Sequence, residues 1–282
     1  TGIRLNGPTP EWAREDGGEA GLHPSNIHDS AYVFGAMDFT GDMPVILGPD
    51  GPSLGGFVCP AVVINADRWK LGQLVPGDEV QLRLVDQHQA TEISEAQSRW
   101  LEDARQKPVV VPSLSRVKES AAARIVLYQA NDVKIRQAGQ EWVLLEFGEA
   151  IIDVGARVLI GDFAKIVIDS GLPGVVEMIP GVRSLLLRFE TQRWTHDTMV
   201  RALEPLLEQV RTTSSSTVPS RIVSLPLSWD DPACHEAIAR YTNNVRPGAP
   251  WCPDNIEFIR RINGLDSVEQ VKQIVFDASY LV

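Results

Sequence analysis

The chain is short of cysteine, of basic charge and of long apolar runs, and each shortage closes a class of function. Its three cysteines, Cys59, Cys234 and Cys252, lie far apart and are odd in number. That usage predicts reduced thiols in a cytoplasmic protein, with neither a disulfide framework nor a C-x-x-C metal site. Lys and Arg number 26 against 37 Asp and Glu, a formal net charge of −11. Nucleic-acid affinity rests on neutralising phosphates, so this balance argues against a polyanion-binding surface. No apolar run approaches the roughly 18 residues that span a bilayer, and no basic stretch followed by an apolar one marks a signal peptide. The G-x-x-x-x-G-K-[ST] phosphate loop is missing, so no ATP site is expected.

What is present is an ordinary globular composition, 44% apolar and 22% charged over 282 residues, enough for two or three small domains. The most informative stretch runs from Gly17 to Asp29. It packs His23, Asn26, His28 and Asp29 into a segment punctuated by glycine and proline, with Asp38 and Asp42 close behind. Such composition reads as a loop presenting polar side chains to a small ligand. Turn capping by Asn26 and Asp29 is the rival reading, because both types bond to nearby backbone. His23, His28 and Asp29 also suggest a metal facial triad, but loop histidines more often hydrogen-bond than ligate, and no metal is expected. A second glycine-rich run, Leu47 to Phe57, contains Gly51-Pro52-Ser53-Leu54-Gly55, a literal G-x-S-x-G. A nucleophile elbow needs a strand before the serine and a helix after it; here turn and strand residues follow, so a glycine-rich turn is the better reading.

Periodicity predicts an α+β chain. Up to Asp86, short strands at Val45–Leu47, Phe57–Ile64 and Val80–Val85 and one helical patch, Ala66–Leu71, suggest part of a β-barrel. Ser94 and Gln97 are spaced for a capping box opening a surface connector helix to about Lys107, with Ile93, Trp100, Leu101 and Ala104 on one face. Val109–Ala123 has no clear period and reads as a linker. Strands at Val133–Arg136 and Glu141–Phe147, a helix over Val154–Ser170, strands at Val175–Ile179 and Val182–Phe189, a helix over His196–Val210 and a strand at Arg221–Leu227 then follow. The order β-α-β-β-α-β is that of a ferredoxin-like α/β sandwich. Three further helices are signalled by caps: Asp231 with Pro232 at the first helical position, Asp254 with Gly264 at the end, and a Ser267/Gln270 box. The chain opens on Thr1 and stops at the uncapped Ser279-Tyr280-Leu281-Val282, so we read both ends as cut.

His23-Pro24-Ser25-Asn26-Ile27-His28-Asp29, together with the Leu47–Phe57 run, resembles the carboxyltransferase region of biotin-dependent urea carboxylase, a family that includes the bacterial KipA and KipI subunits. Gly171-Leu172-Pro173-Gly174-Val175-Val176-Glu177-Met178-Ile179-Pro180-Gly181 is similar to the amino-terminal lobe of the KipI-type half. Trp251-Cys252-Pro253-Asp254-Asn255-Ile256-Glu257-Phe258-Ile259-Arg260-Arg261-Ile262-Asn263-Gly264 resembles its urea carboxylase version. The likeness covers nearly the whole chain and is loosest from Asp86 to Ala130.

The resemblance implies four segments. Residues 1–86 would be the carboxy-terminal part of a KipA-like half with a partial cyclophilin-like β-barrel, and 87–123 a connector. Residues 124–216 would be the KipI-like α/β lobe, and 217–282 the start of a second cyclophilin-like barrel. It implies transfer of a carboxyl group from carboxybiotin to urea or guanidine, with Asn26, His28 and Asp29 catalytic and His23, Ser25 and Asp277 contacting substrate. Urea offers N–H donors and one carbonyl acceptor and its nitrogen is a poor nucleophile, so such a site needs an acceptor, a donor and a base, which Asp, Asn and His supply. No Ala-Met-Lys-Met biotinylation motif occurs, so biotin would arrive on a carrier domain outside this chain, and a biotin carboxylase domain would load it. A KipA/KipI-type hydrolase component, as in 5-oxoprolinase or allophanate hydrolase, and a non-catalytic binding module are the alternatives. Open barrel edges would favour a homo-dimer.

Overall fold

The computed structural model describes residues 2–17, 22–52, 54–102, 126–149, 151, 153–213 and 219–280. It divides into two compact units, one formed by residues 1–11 and 25–218, the other by 12–24 and 219–282. No helix among the described residues is long and apolar enough to cross a membrane.

The first unit begins with β1 (Gly2–Arg4), β2 (Asn26–Ala31), β3 (Ala36–Thr40), β4 (Met43–Leu47), β5 (Leu54–Phe57) and β6 (Ala61–Val62). β1, β4, β3 and β6 form one antiparallel sheet in that order, while β2 and β5 form a separate antiparallel pair. The stretch expected as a loop up to Asp29 therefore becomes strand from Asn26 on, because β5 offers it a ladder. The single strand expected over Phe57–Ile64 is broken between β5 and β6, where Pro60 has no N–H to give. The strand expected at Val80–Val85 is absent: the segment carries the right alternation, but no described strand pairs with it, and Leu82 and Leu84 stay exposed.

A short 3-10 turn, Asn65–Asp67, runs into α1 (Arg68–Leu71), as the helical patch predicts. The next helix, α2 (Gln87–Glu102), starts seven residues before the expected cap. Its capping box is Asp86/Gln89: Gln89 N–H donates to Asp86 Oδ1 at 2.8 Å and Asp86 N–H to Gln89 Oε1 at 3.3 Å. Ser94 and Gln97, with the same spacing, serve tertiary contacts. Ser94 Oγ accepts from Gln140 Nε2 at 3.0 Å, and Gln97 Nε2 donates to the Ala66 carbonyl at 2.9 Å. The linker expected at Val109–Ala123 lies outside the described residues.

Five strands then form the larger sheet: β7 (Val126–Ala130), β8 (Val133–Gln137), β9 (Trp142–Phe147), β10 (Val175–Pro180) and β11 (Ser184–Phe189). Helices α3 (Val154–Asp169) and α4 (His196–Thr213) cover one face. The order is β10-β11-β9-β8-β7, antiparallel throughout. β9, α3, β10, β11 and α4 follow the expected order, and Asp153 and Thr195 cap the helices by accepting from Gly155 and Thr198 N–H. The closing strand at Arg221–Leu227 is absent. The place it would take beside β9 is filled by β8, which reaches it through a tight connection at Gly139 (φ +79°), and β7, unread in the sequence, extends the edge.

Alternation along β9 and β11 sends residues to opposite faces. Val143, Leu145, Phe147, Leu185, Leu187 and Phe189 pack with Ile160, Phe163, Met199, Leu203 and Leu207 of the helices. Trp142 and Leu186 face the other way and join Tyr32, Val33, Ala36 and Leu47 of the first strands. The larger sheet is therefore covered on both faces, which is why β9 reads apolar at nearly every position.

In the second unit α5 (Pro232–Asn244), α6 (Asn255–Ile262) and α7 (Val268–Asp277) stand where their caps predict. Asp231 accepts from Ala233 N–H, Asp254 from Ile256 and Glu257 N–H, and Ser267 from Gln270 N–H. Arg221–Leu227 precedes them as an unpaired segment, with Ile222 99% exposed.

Candidate functional site

The histidine–asparagine–aspartate stretch crosses the division between the units: His23 and Pro24 fall in the second, Ser25 to Asp29 in the first. On the second-unit side the chain is held locally. The rings of Trp12 and His23 meet edge to face with centroids 5.5 Å apart, and Arg14 donates from Nε and Nη2 to the Pro24 carbonyl at 3.0 and 2.8 Å.

On the first-unit side Ser25 is fully buried. Its carbonyl accepts from Val58 N–H at 2.9 Å and its hydroxyl from Gly41 N–H at 3.1 Å, which ties the start of β2 to the segment after β5 and to the β3–β4 turn. Asn26 follows, half-buried, opposite Phe57. Between Asn26 and Ser30 the register slips: four steps along β2 match the two from Phe57 to Gly55, so Ile27, His28 and Asp29 lie in a bulge. Bulges break the ladder locally and re-aim side chains, and they gather beside active sites. The side chains of His28 and Asp29 lie outside the described residues.

The β2–β5 pair has a second anchor. Tyr32 Oη accepts from Phe57 N–H at 2.7 Å and donates to the Phe57 carbonyl at 3.1 Å. Its ring lies so close over Gly55 that a Cβ there would stand 2.7 Å from Tyr32 Cζ, so the glycine is a packing requirement. Ser53 lies outside the described residues, but the residues after it form strand β5 and not the helix a nucleophile elbow needs.

Sequence reasoning noted Asp38 without assigning it a role. On β3 it shares the inward face with Ala36, is 6% exposed, and its Oδ1 has no hydrogen-bond partner among the described residues. Burial raises its carboxyl above the usual range, against a hydrogen bond from Thr40 that lowers it. Burial first, then the charge of Asp38, push the Cys59 thiol up to about 12. The period-two pattern around Asp38 was the available signal, since it places an acid on an apolar face. Asp277, the remaining predicted contact, is the exposed last residue of α7 in the second unit.

The family model for the carboxyltransferase domain, subdomain C and D, matches residues 133–282, and that for subdomain A and B matches residues 1–84. The chain belongs to the carboxyltransferase domain family. It is homologous over its full length to urea amidolyase and urea carboxylase. Urea amidolyase of Lachancea kluyveri is 36% identical over 287 residues, spanning 100% of this chain and 16% of that protein. The crystal structure of the Kluyveromyces lactis urea carboxylase superposes with a TM-score of 0.79 at 36% identity, covering 98% of this chain and 25% of the other. The urea amidolyase structure from K. lactis gives the same TM-score at 37% identity, covering 98% and 17%. The chain thus spans a quarter or less of these relatives' length.

Proposed function

We propose that this carboxyltransferase moves a carboxyl group from carboxybiotin to urea, or to guanidine, giving allophanate in the first case. The observation that carries the reading is the full-length homology to urea carboxylase joined to a strand bulge at the polar motif. We keep the four-segment division at 86, 123 and 216, with a partial cyclophilin-like first part, a ferredoxin-like lobe and the start of a second barrel, as our reading. The separate family matches at 1–84 and 133–282 support a break between the first part and the lobe. Carrier and biotin carboxylase domains are the proposed partners.

The donor set suits a ureido group, which presents N–H beside one carbonyl. Asp38 keeps an unpartnered buried oxygen, and Asn26 brings both an amide donor and an acceptor. Bound carboxybiotin would supply the activated carboxyl group. Within the chain, Asn26 orients the urea amide, Asp29 accepts an N–H, and His28 takes the proton that the urea nitrogen loses as its new N–C bond forms. That proton would balance the ureido nitrogen freed as the N–carboxyl bond of carboxybiotin breaks. His23 and Asp277 are kept as substrate contacts. Ser25, buried and bonded to Gly41, acts by positioning Asn26.

The test is Asp29→Asn in the intact enzyme. Carboxyl transfer to urea should fall by roughly 10²-fold, the usual scale for losing one charged hydrogen-bonding group aimed at the reacting centre, while biotin-dependent ATP cleavage is retained. Equal loss of both activities would overturn the assignment.

A further inference from the structure

The first unit contains a second polar cluster, built from residues outside the motif, whose donors are not used up among the described residues. Arg68, at the start of α1, is 9% exposed through its side chain. Its Nη1 pairs with Glu141 Oε1 at 2.5 Å, and its Cζ lies 5.0 Å from the centre of the Phe34 ring. Nε and Nη2 are both buried and have no partner among the described residues. These two nitrogens form the side-on fork of the guanidinium, the edge that binds a planar carboxylate with two parallel N–H···O bonds.

The surroundings say what would fill it. Glu141 also receives Arg188 Nε at 3.2 Å and Asn65 Nδ2 at 3.2 Å, so two guanidiniums share one carboxylate and one positive charge is left over. Asn65 Oδ1 is buried as well and has no partner among the described residues. Leaving a buried guanidinium edge and an amide oxygen unmet costs several kcal/mol in general, so native proteins rarely do so. The unmet demand is for a planar acceptor carrying negative charge and, beside it, one donor.

We propose that the Arg68 fork, with Asn65 held on the same Glu141 carboxylate, is a binding site for a small planar oxyanion of the bicarbonate class. Two oxygens of such an ion fit the fork, and its O–H meets the amide oxygen of Asn65. The ion would neutralise the spare charge and fasten the Asn65–Leu71 turn to Glu141 at the start of β9. No bond to carbon is made or broken, and the site is independent of the carboxyl transfer proposed above.

The test is thermal unfolding of the full chain in sodium bicarbonate against sodium chloride at matched ionic strength and pH. At bicarbonate about a hundredfold above its dissociation constant, a rise of roughly 5 °C is expected over chloride. Arg68→Lys keeps the charge but has no fork, and should abolish the rise. Asn65→Asp sets a carboxylate beside the fork and should abolish it too, which a water-filled site would not require. An equal response to chloride, no response, or a response that survives both substitutions overturns the proposal.

Discussion

The sheet-and-helix layer of residues 126–213 and the helical block of residues 219–280 are both built from short amphipathic segments, yet they hold their shape by different means. In the first, apolar residues from three central strands and two helices close into one buried cluster around Leu145, Phe163, Leu187 and Leu203. In the second, Ala249 and Val271 are the buried apolar residues among those described, while Ile259, Ile262, Ile274 and Phe276 stay substantially exposed. The order of the second block rests on its caps, each satisfying helix N–H groups that packing does not. Local signals can set where a helix begins without providing a core beneath it.

The sharpest way to break this comparison is to cut equal side chains from each region. Leu145→Ala should cost about 2–5 kcal/mol in urea unfolding, because the cavity sits among residues with no exposure. Ile259→Ala, on an exposed face, should cost under about 1 kcal/mol. Equal costs would show that the helical block has a core after all. Next in size, Gly55→Ala should destabilise by roughly 1–3 kcal/mol through its collision with Tyr32. It should also lower urea-dependent turnover, since the β2 bulge faces the same strand; unchanged activity would detach the bulge from the site. Smaller again, Asp254→Ala or Ser267→Ala should each cost about 1 kcal/mol and fray α6 or α7, read by amide exchange. Uniform exchange across the block would mean that the caps do not set its order.

The smallest effect is in pH dependence. Burial raises the Asp38 carboxyl, so the folded chain holds that proton more tightly than the unfolded chain does. The favourable contribution is present below the ordinary carboxylate range and is lost as pH rises through the raised folded value. Asp38→Asn cannot ionise, so relative to the parent chain it should be more stable at pH 7–8. That advantage should close as pH falls toward the carboxylate range. A variant destabilised at all pH values would show that the carboxylate is held by bonds and not penalised by burial.

Several elements were legible from residues alone because their cause is local. Thr195, Asp231, Asp254 and Ser267 announce helices through a side chain that bonds within three residues, and α4 to α7 start where they say. The Asp86/Gln89 box has the same form but was passed over for Ser94/Gln97, since spacing cannot distinguish two candidates on one helix. Strands were harder. The stretch up to Asp29 looked like a loop because its polar residues occupy a bulge, whereas Val80–Val85 alternates well and Arg221–Leu227 is rich in apolar residues, yet neither is a strand. Alternation is a property of one segment, but a strand also needs a neighbour to bond. The candidate residues Asn26, His28 and Asp29 could be named from composition and resemblance. The register slip in β2, and the Asp38 oxygen and Arg68 fork that have no partner among the described residues, could not.

By itself, the sequence determined the starts of α4 to α7, the apolar faces of β9 and β11 and the motif that marks the family. Each follows from interactions among residues close in the chain or from periodicity within one element. The tertiary structure alone decided which strands found partners, that β8 would fill the place beside β9, and that Asp38 and Arg68 would be buried with donors and acceptors unmet. Those outcomes depend on contacts between residues tens of positions apart, where burial and pairing are set by whatever segment arrives on the other side.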